Sequence, residues 1–218
     1  MRAPILKLCG FTIAAQAAAA ARLGATHVGI VLWPRSKRAA TADQARAIVA
    51  ATRTLRPETV GVVVDERGAD LLALVESIGL DRLQLHGDHT LEDAALLVRA
   101  GVPFWRALRV GADGVDLALA HRWRAAGADA VLLDAYVPGL PGGTGAHVAT
   151  DRAREFADAG PTVLAGGLSP ANVAERIRAV RPRGVDVASG IERAPGDKDE
   201  AAMARFVDEA RAAFEEIG

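Results

Sequence analysis

A chain of 218 residues, half of them hydrophobic, is long enough to bury a substantial core, and we expect one domain spanning residues 1–218. Its 26 Lys and Arg residues nearly balance its 27 Asp and Glu residues. This balance argues against a positive electrostatic field that would attract nucleic acid and against a disordered acidic tail that would bind a partner. A single cysteine excludes an intramolecular disulfide and a four-thiolate metal site, and no apolar run approaches the roughly 20 residues that span a bilayer.

Short runs rich in Val, Leu and Ile recur along the chain and predict eight β-strands. The runs are Ile5–Cys9, His27–Leu32, Thr59–Val64, Arg82–His86, Phe104–Val110, Ala130–Asp134, Thr162–Ala165 and Val185–Ser189. Stretches rich in good helix formers lie between them, and the clearest are Ile13–Leu23, Thr41–Arg56, Leu91–Ala100, Pro170–Val180 and Glu200–Glu216. Eight alternating units of about 27 residues, with no G-x-G-x-x-G after the first strand, predict an α/β fold that is a single (β/α)8 TIM barrel.

The ends of two predicted strands carry groups suited to proton transfer. Cys9 ends the first strand and Asp134 ends the sixth. Because the carboxyl ends of parallel barrel strands converge on one mouth, we expect the two side chains to face each other there. With backbone dipoles stabilising its thiolate, Cys9 could act as a base and Asp134 as an acid. An inert buried cysteine and an aspartate that caps a turn are the ordinary alternatives.

Three glycine-rich segments follow the last three strands and indicate a phosphate site. They are Gly142-Gly-Thr-Gly145, Ala165-Gly-Gly167 and Ser189-Gly190. Any one of them alone is more typical of an ordinary turn. Glycine lets backbone N–H groups approach an anion closely, however, and loops after the last two strands often bind phosphate in this fold. The three segments together therefore predict phosphate binding.

Other polar residues near the strand ends are candidates for substrate contacts. Arg35, Lys37 and Arg38 follow the second strand, where an arginine could fork onto a carboxylate, although such a loop is usually a solvated surface. His86 and Asp186 belong to later strands, and a buried hydrogen-bonded role is their ordinary alternative. The remaining histidines show no ligand spacing, so we expect no metal site.

Short motifs follow one another in a specific order along the whole chain. They are Lys7-Leu-Cys-Gly10, Ser36-Lys-Arg38, Gln84-Leu-His-Gly87, Leu132-Leu-Asp134, Gly142-Gly-Thr-Gly145, Leu164-Ala-Gly-Gly-Leu168 with Pro170 and Asn172-Val173, and Gly184-Val-Asp-Val-Ala-Ser-Gly190 followed by Glu192 and Lys198-Asp199. Each motif alone is modest. The ordered set resembles the phosphoribosylanthranilate isomerase family.

That resemblance implies a cofactor-free isomerase of tryptophan biosynthesis. The implied reaction converts N-(5-phosphoribosyl)anthranilate to 1-(2-carboxyphenylamino)-1-deoxyribulose 5-phosphate by an Amadori rearrangement. By position, Asp134 is the implied general acid that protonates the ribose ring oxygen, and Cys9 is the implied base that takes the C2′ proton. These roles require an accessible thiolate at Cys9 and a proton on Asp134.

The resemblance also implies binding residues. Arg38 is implied to hold the anthranilate carboxylate, Asp186 to contact the sugar hydroxyls, and His86 to contact the substrate. The residues implied to bind the phosphate are Gly143, Gly145, Gly166, Gly167, Ser189 and Gly190.

Three places depart from the family pattern. Val148-Ala-Thr150 stands where Phe-Asp-Trp is common, Ala188 where serine is usual, and Lys37 where proline is frequent. We therefore expect different packing at the sixth loop and helix, and phosphate and carboxylate loops that are held differently. No proposed catalytic group is missing.

Two other interpretations of these residues stay open. One is another phosphosugar barrel, such as a ribulose-phosphate epimerase or an indole-forming synthase, and a metal-dependent epimerase would need His and Asp ligands. The other is a phosphosugar-binding protein without catalysis, because a fold does not guarantee a function. We expect a cytoplasmic monomer or homodimer whose partner is a small-molecule phosphosugar, with no nucleic acid and no membrane.

Overall fold

Eight parallel strands close into a barrel in the computed structural model, which describes residues 3–110, 116–135 and 148–218. The strands pair in chain order, and β8 pairs with β1 to close the sheet. They are β1 Ile5–Cys9, β2 His27–Val31, β3 Glu58–Val63, β4 Arg82–Leu85, β5 Phe104–Val110, β6 Ala130–Ala135, β7 Thr162–Leu164 and β8 Gly184–Val187.

An α-helix follows each barrel strand. The helices are α1 Ala14–Leu23, α2 Ala42–Thr52, α3 Ala69–Ile78, α4 Leu91–Arg99, α5 Leu117–Ala125, α6 Thr150–Asp158, α7 Val173–Val180 and α8 Glu200–Ile217. Between β8 and α8 lie a 3₁₀ turn, Ser189–Ile191, and an antiparallel hairpin of β9 Glu192–Ala194 and β10 Asp197–Lys198. The predicted (β/α)8 barrel is confirmed.

The predicted strands are all present, and their differences from prediction lie at the ends. Ile5–Cys9 and Phe104–Val110 match the prediction to the residue. The eighth strand ends at Val187, before the predicted Ser189, because the chain turns there into the 3₁₀ segment. That turn brings the residues after β8 onto the mouth of the barrel.

Local sequence signals account for where several helices begin and end. Thr41 caps α2 in a reciprocal pair with Gln44, but the helix ends at Thr52 and not at the predicted Arg56. The helix predicted from Pro170 begins three residues later. Gly24 ends α1 with a φ of 102°, in the left-handed region that glycine enters without steric cost.

The core has two parts, one inside the barrel and one between the barrel and its helices. The inner cluster is filled mainly by Val60, Trp105, Ala107, Ala130, Leu132, Val163 and Ala165. Outward-facing strand residues pack against the buried faces of the helices in a larger cluster. The interior is therefore filled with side chains, which leaves the mouth as the place where a ligand can enter. Among the described helices, none combines the length and apolar character needed to cross a bilayer.

A charged cluster closes the opposite end of the barrel from the mouth. Glu58 contacts His27 Nε2 at 3.6 Å and accepts a hydrogen bond from Arg82 Nε at 2.9 Å. Arg82 also pairs with Asp129 and lies over the Trp105 ring. The contacts with His27 and Arg82 lower the pKa of Glu58 from 4.5 to about 2.

This cluster predicts an acid-sensitive contribution to stability. Since the pKa of Glu58 is lower in the folded chain, its contribution is present above pH 4.5 and is lost as the pH falls towards about 2. We expect the free energy of unfolding of Glu58→Gln to fall less steeply over that window than that of the wild type, as measured by urea titration. Equal slopes for the two proteins would contradict the assignment.

Candidate active site

The mouth holds a cavity of about 480 Å³, a size typical of small-molecule sites. Every barrel strand, or the loop directly after it, contributes to its wall. The lining includes Cys9, Trp33, Lys37, Arg38, Gln84, His86, Arg109, Asp134, Gly166, Gly167, Asp186, Ala188 and Ser189. The structure therefore brings the predicted thiol, carboxyl and arginine to one cavity, together with the predicted loops after β7 and β8.

Cys9 ends β1 with its thiol buried in this wall. Its register partner on β2 is Gly29, and a Cβ there would lie only 2.6 Å from Cys9 Sγ, so glycine leaves the space that the thiol fills. Burial raises the pKa of Cys9, while Lys7 opposes the rise. The sequence led us to expect that backbone dipoles would stabilise the thiolate, whereas the structure places the ammonium group of Lys7 beside it.

Lys7 and Asp186 form a buried ion pair beside Cys9. They are register partners on β1 and β8, and Lys7 Nζ donates to Asp186 Oδ2 at 2.9 Å. Burial alone would lower the pKa of Lys7, but Asp186 and Cys9 raise it above its usual value. The second oxygen, Asp186 Oδ1, is buried with no hydrogen-bond partner among the described residues. This oxygen in the cavity wall still needs a hydrogen-bond donor, and a ligand hydroxyl is one group that can supply it.

Asp134 lies beside His86 on the neighbouring part of the wall. His86 Nε2 is 3.5 Å from Asp134 Oδ2, and both side chains are largely buried. The Gln84 amide Nε2 is 3.2 Å from His86 Nδ1, so it orients the imidazole from the other side. A carboxyl and an imidazole therefore lie side by side at the cavity surface.

The two arginines of the loop after β2 have different surroundings. Arg35 is 75% exposed, pairs with Asp65 and lies over the Trp33 ring at the rim. Arg38 is only 18% exposed and is held by the buried carboxylate of Glu192 at 2.7 Å. Arg35 therefore belongs to a solvated surface, as is usual for such a loop, whereas the guanidinium of Arg38 is held in place at the cavity.

Backbone groups after β7 and β8 form the glycine-lined side of the cavity. Gly166 and Gly167 have φ values of 82° and 63°, and their N–H groups donate to no backbone acceptor in the described parts of the chain. At Gly190 a Cβ would lie 2.0 Å from the Leu168 oxygen, so the two loops approach too closely for any other residue. This side can therefore present free N–H groups to an anion. The predicted Gly143 and Gly145 lie outside the described residues.

The unusual residues noted in the sequence have definite surroundings. Val148 is buried, and Arg176 of α7 donates to its carbonyl oxygen and to Thr150 Oγ1, both at 2.6 Å. Arg176 thus ties the start of α6 to α7. Ala188 uses its carbonyl oxygen to accept a bond from Lys198, and Lys37 is an exposed residue of the cavity rim.

Several residues of this site had no assigned role in the sequence interpretation. They are Lys7, Gly29, Gln84, Arg109, Glu192 and Lys198. The sequence does contain a signal for Lys7 and Arg109, because each is a charged residue within an apolar strand. A charge in a buried strand needs a partner, so such a residue is a candidate for the site. Within the described ranges, no group of three or more His, Cys, Asp or Glu side chains has an arrangement that could hold a metal ion.

Comparisons with known proteins agree along almost the whole chain. A family model described as N-(5'phosphoribosyl)anthranilate (PRA) isomerase matches residues 6–209. The N-(5'-phosphoribosyl)anthranilate isomerase of Pseudomonas syringae pv. tomato is 44% identical over 203 residues, which cover 92% of this chain and 94% of that protein.

Solved structures are also similar. The phosphoribosyl anthranilate isomerase of Thermotoga maritima aligns with a TM-score of 0.82 at 31% identity, covering 94% of this chain and 98% of that one. Another isomerase structure, in complex with reduced 1-(o-carboxyphenylamino)-1-deoxyribulose 5-phosphate, aligns with a TM-score of 0.79 at 30% identity, covering 94% of this chain and 97% of that one.

Proposed function

This chain belongs to the N-(5'-phosphoribosyl)anthranilate isomerase family, and we propose how its cavity carries out the isomerisation. The enzyme acts in tryptophan biosynthesis and converts N-(5-phosphoribosyl)anthranilate to 1-(2-carboxyphenylamino)-1-deoxyribulose 5-phosphate. The observation that carries the proposed mechanism is the presence of Cys9 and Asp134 in one cavity beside the glycine loops after β7 and β8.

Asp134 is the proposed general acid. It donates a proton to the ribose ring oxygen, the C1′–O bond breaks, and the nitrogen lone pair forms the C1′=N bond of a protonated Schiff base. The nearby His86 keeps a second titratable group within 3.5 Å of the carboxyl, through which the proton can be replaced after turnover. His86 is thus proposed as a positioning and proton-sharing partner of Asp134.

Cys9 is the proposed general base. Its thiolate removes the C2′ proton of the Schiff base, and the electrons of that bond form the C1′=C2′ bond of an enolamine. The enolamine then gains a proton at C1′ and loses one from its C2′ hydroxyl, which gives the ketone. The protein supplies an acid and a base in opposite protonation states, and it holds the substrate in a fixed position. Proton transfer and positioning both raise the rate.

The proposed binding contacts fix the two ends of the substrate. Arg38 holds the anthranilate carboxylate, and the free N–H groups of Gly166 and Gly167, with Ser189 and Gly190, hold the phosphate. Asp186 Oδ1 accepts from a sugar hydroxyl. These contacts place the C2′ hydrogen beside Cys9 and the ring oxygen beside Asp134.

The test of this function is turnover by the purified protein. We expect freshly generated N-(5-phosphoribosyl)anthranilate to lose its fluorescence at a rate proportional to enzyme concentration, with no added cofactor. Ribulose 5-phosphate and the indole-forming reaction are the matched alternatives. Turnover of either one, with none of the anthranilate substrate, would contradict the proposal. Binding of the substrate by folded protein without turnover would favour a binding role.

The proposal extends to where the protein works and how it assembles. As a member of a biosynthetic isomerase family, the protein is proposed to work in the cytoplasm on a small phosphosugar. Its assembly as a monomer or a homodimer stays a prediction, which sedimentation analysis would decide.

The Lys7 ammonium is proposed to favour the thiolate of Cys9. In Lys7→Met we expect the acidic limb of the pH profile of kcat/KM to move to higher pH by about one to three units, because a nearby opposite charge has been removed. The rate of iodoacetamide alkylation reports the same thiol directly, since Cys9 is the only cysteine in the chain.

The controls separate this effect from a change in folding. Lys7→Met leaves Asp186 buried without its partner and is expected to destabilise the fold by about 3–5 kcal/mol, so each profile is recorded in the pH range where unfolding is absent. Lys37→Met removes an exposed cation at the cavity rim and should leave the alkylation midpoint where it is. An unchanged midpoint in Lys7→Met would refute the role.

A further inference from the structure

Glu192 lies buried between two cations at the edge of the cavity. Its side chain is 4% exposed and accepts hydrogen bonds from Arg38 Nε and Nη2 and from Lys198 Nζ at 2.7–3.0 Å. The Gly196 N–H donates a further bond at 3.1 Å. Although burial alone would raise the pKa of Glu192, these partners lower it below its usual value. The carboxylate is therefore ionised and fully engaged.

These bonds fix which edge of the Arg38 guanidinium is free. A guanidinium has five N–H donors in one plane, and Nε together with one N–H of Nη2 is directed to Glu192. Nη1 donates to no acceptor in the described residues. Nη1 and the outer N–H of Nη2 form the pair that can fork onto a second carboxylate. Glu192 thus leaves Arg38 with one free edge, in a residue that lines the cavity.

Lys198 extends the connection to the strands on either side. Its fully buried Nζ donates to the carbonyl oxygens of Cys9 and Ala188 as well as to Glu192. The backbone at Gly10 passes so close that a Cβ there would lie 2.8 Å from Arg38 Cδ. One buried carboxylate therefore joins the Arg38 loop to the end of β1 and to the segment after β8.

Stability alone is a weak reason for this arrangement. Taking three charged groups out of water is costly, and buried ion pairs can often be replaced by apolar residues without loss of stability. What the ionic arrangement supplies, and an apolar one could not, is a fixed direction for Arg38.

We propose that Glu192 is a positioning residue that aims the free edge of Arg38 at the substrate carboxylate, while Lys198 ties this clamp to the backbone of Cys9. The proposal rests on the proposed function, because it takes a carboxylate-bearing substrate as the ligand of the cavity. Glu192 itself does not touch the substrate.

The test compares two ligands that differ by one carboxyl group. The first is reduced 1-(2-carboxyphenylamino)-1-deoxyribulose 5-phosphate, and the second is the phenylamino compound without the carboxyl. We expect the wild type to prefer the first, and Glu192→Gln to reduce that preference by about tenfold or more, because charge-assisted hydrogen bonds lose their alignment. In turnover, KM should rise with kcat little changed.

A double-variant cycle separates positioning from general support of the fold. Arg38→Gln alone should abolish most of the preference for the carboxylated ligand. Adding Glu192→Gln to that variant should then lower the preference no further. Glu192→Asp, which keeps the charge, should recover part of the preference. Arg193→Gln changes an exposed residue of the same hairpin and should behave as the wild type.

A second variant keeps the test usable if Glu192→Gln folds poorly. Glu192→Gln with Lys198→Met removes one buried anion and one buried cation together, and it should show the same reduced preference. Equal weakening of both ligands, or a further loss in the Arg38→Gln background, would overturn the proposal. So would a wild type with no preference. A wild type that prefers the carboxylated ligand but does not turn over substrate would contradict only the proposed function.

Discussion

Replacing Cys9 with alanine is expected to lower kcat for N-(5-phosphoribosyl)anthranilate by about 10²–10⁴-fold, the usual contribution of a positioned acid or base. The thiol lies in the cavity wall, and its loss removes the proposed base at C2′. Burial raises the pKa of Cys9, and Lys7 is the neighbouring group that opposes this rise. The measurement is the rate of fluorescence loss at saturating substrate.

Binding should survive this change, because the contacts proposed at the two ends of the substrate are untouched. The affinity for reduced 1-(2-carboxyphenylamino)-1-deoxyribulose 5-phosphate should stay close to that of the wild type, and thermal unfolding should show an intact fold. Cys9→Ser is the matched control for size, and it should also be slow because a hydroxyl is a far weaker acid than a thiol. Full activity in either variant would remove Cys9 from the mechanism.

The second large effect is expected for Asp134→Asn. Asparagine has nearly the same shape but no ionisable proton, so ring opening loses its acid and kcat should fall by about 10²–10⁴-fold. The contact with His86 at 3.5 Å can be kept by the amide, which makes this a conservative change in structure. The same fluorescence assay measures it.

The control for Asp134→Asn is an aspartate far from the cavity. Asp129→Asn changes an aspartate near the start of the same strand, in the charged cluster at the opposite end of the barrel, and should leave kcat unaffected while changing stability. Turnover by Asp134→Asn at the wild-type rate would mean that another group opens the ring. His86 would then be the first residue to examine, because its Nε2 is 3.5 Å from the carboxyl.

The barrel and the two ends of the proposed chemistry could be predicted because they follow from strand order. Once strands and helices alternate eight times, residues such as Cys9 and Asp134 that end the strands must meet at one mouth. Boundaries were less predictable where a turn overrides propensity. Ser189 continues an apolar run in the sequence, but the chain enters a 3₁₀ turn there.

Contacts across the closed sheet could not be predicted in the same way. Lys7 and Asp186 are 179 positions apart and pair only because β8 closes onto β1 in one particular register. Gly29 looks like any other strand glycine in the sequence, and its role becomes visible only because the register of β1 and β2 places it opposite Cys9. Side-chain direction decides such partners, and a single sequence does not contain it.

The contacts of the hairpin after β8 could not be predicted from the sequence either. Glu192 and Lys198 were visible as parts of a motif, but six residues of sequence separation do not reveal that a hairpin folds both side chains inward to meet Arg38. The sequence therefore located the arginine, and only the structure describes what holds it.

Deuterium at C2′ of the substrate distinguishes the proposed base, Cys9, from the proposed acid, Asp134. In Cys9→Ser, where removal of the C2′ proton is the slowed step, we expect deuteration to lower kcat clearly. In Asp134→Asn, where the earlier ring opening is the slowed step, we expect deuteration to leave kcat almost unchanged. A deuterium effect confined to the Asp134 variant, or absent from the slowed Cys9 variant, would contradict the assignment of the base.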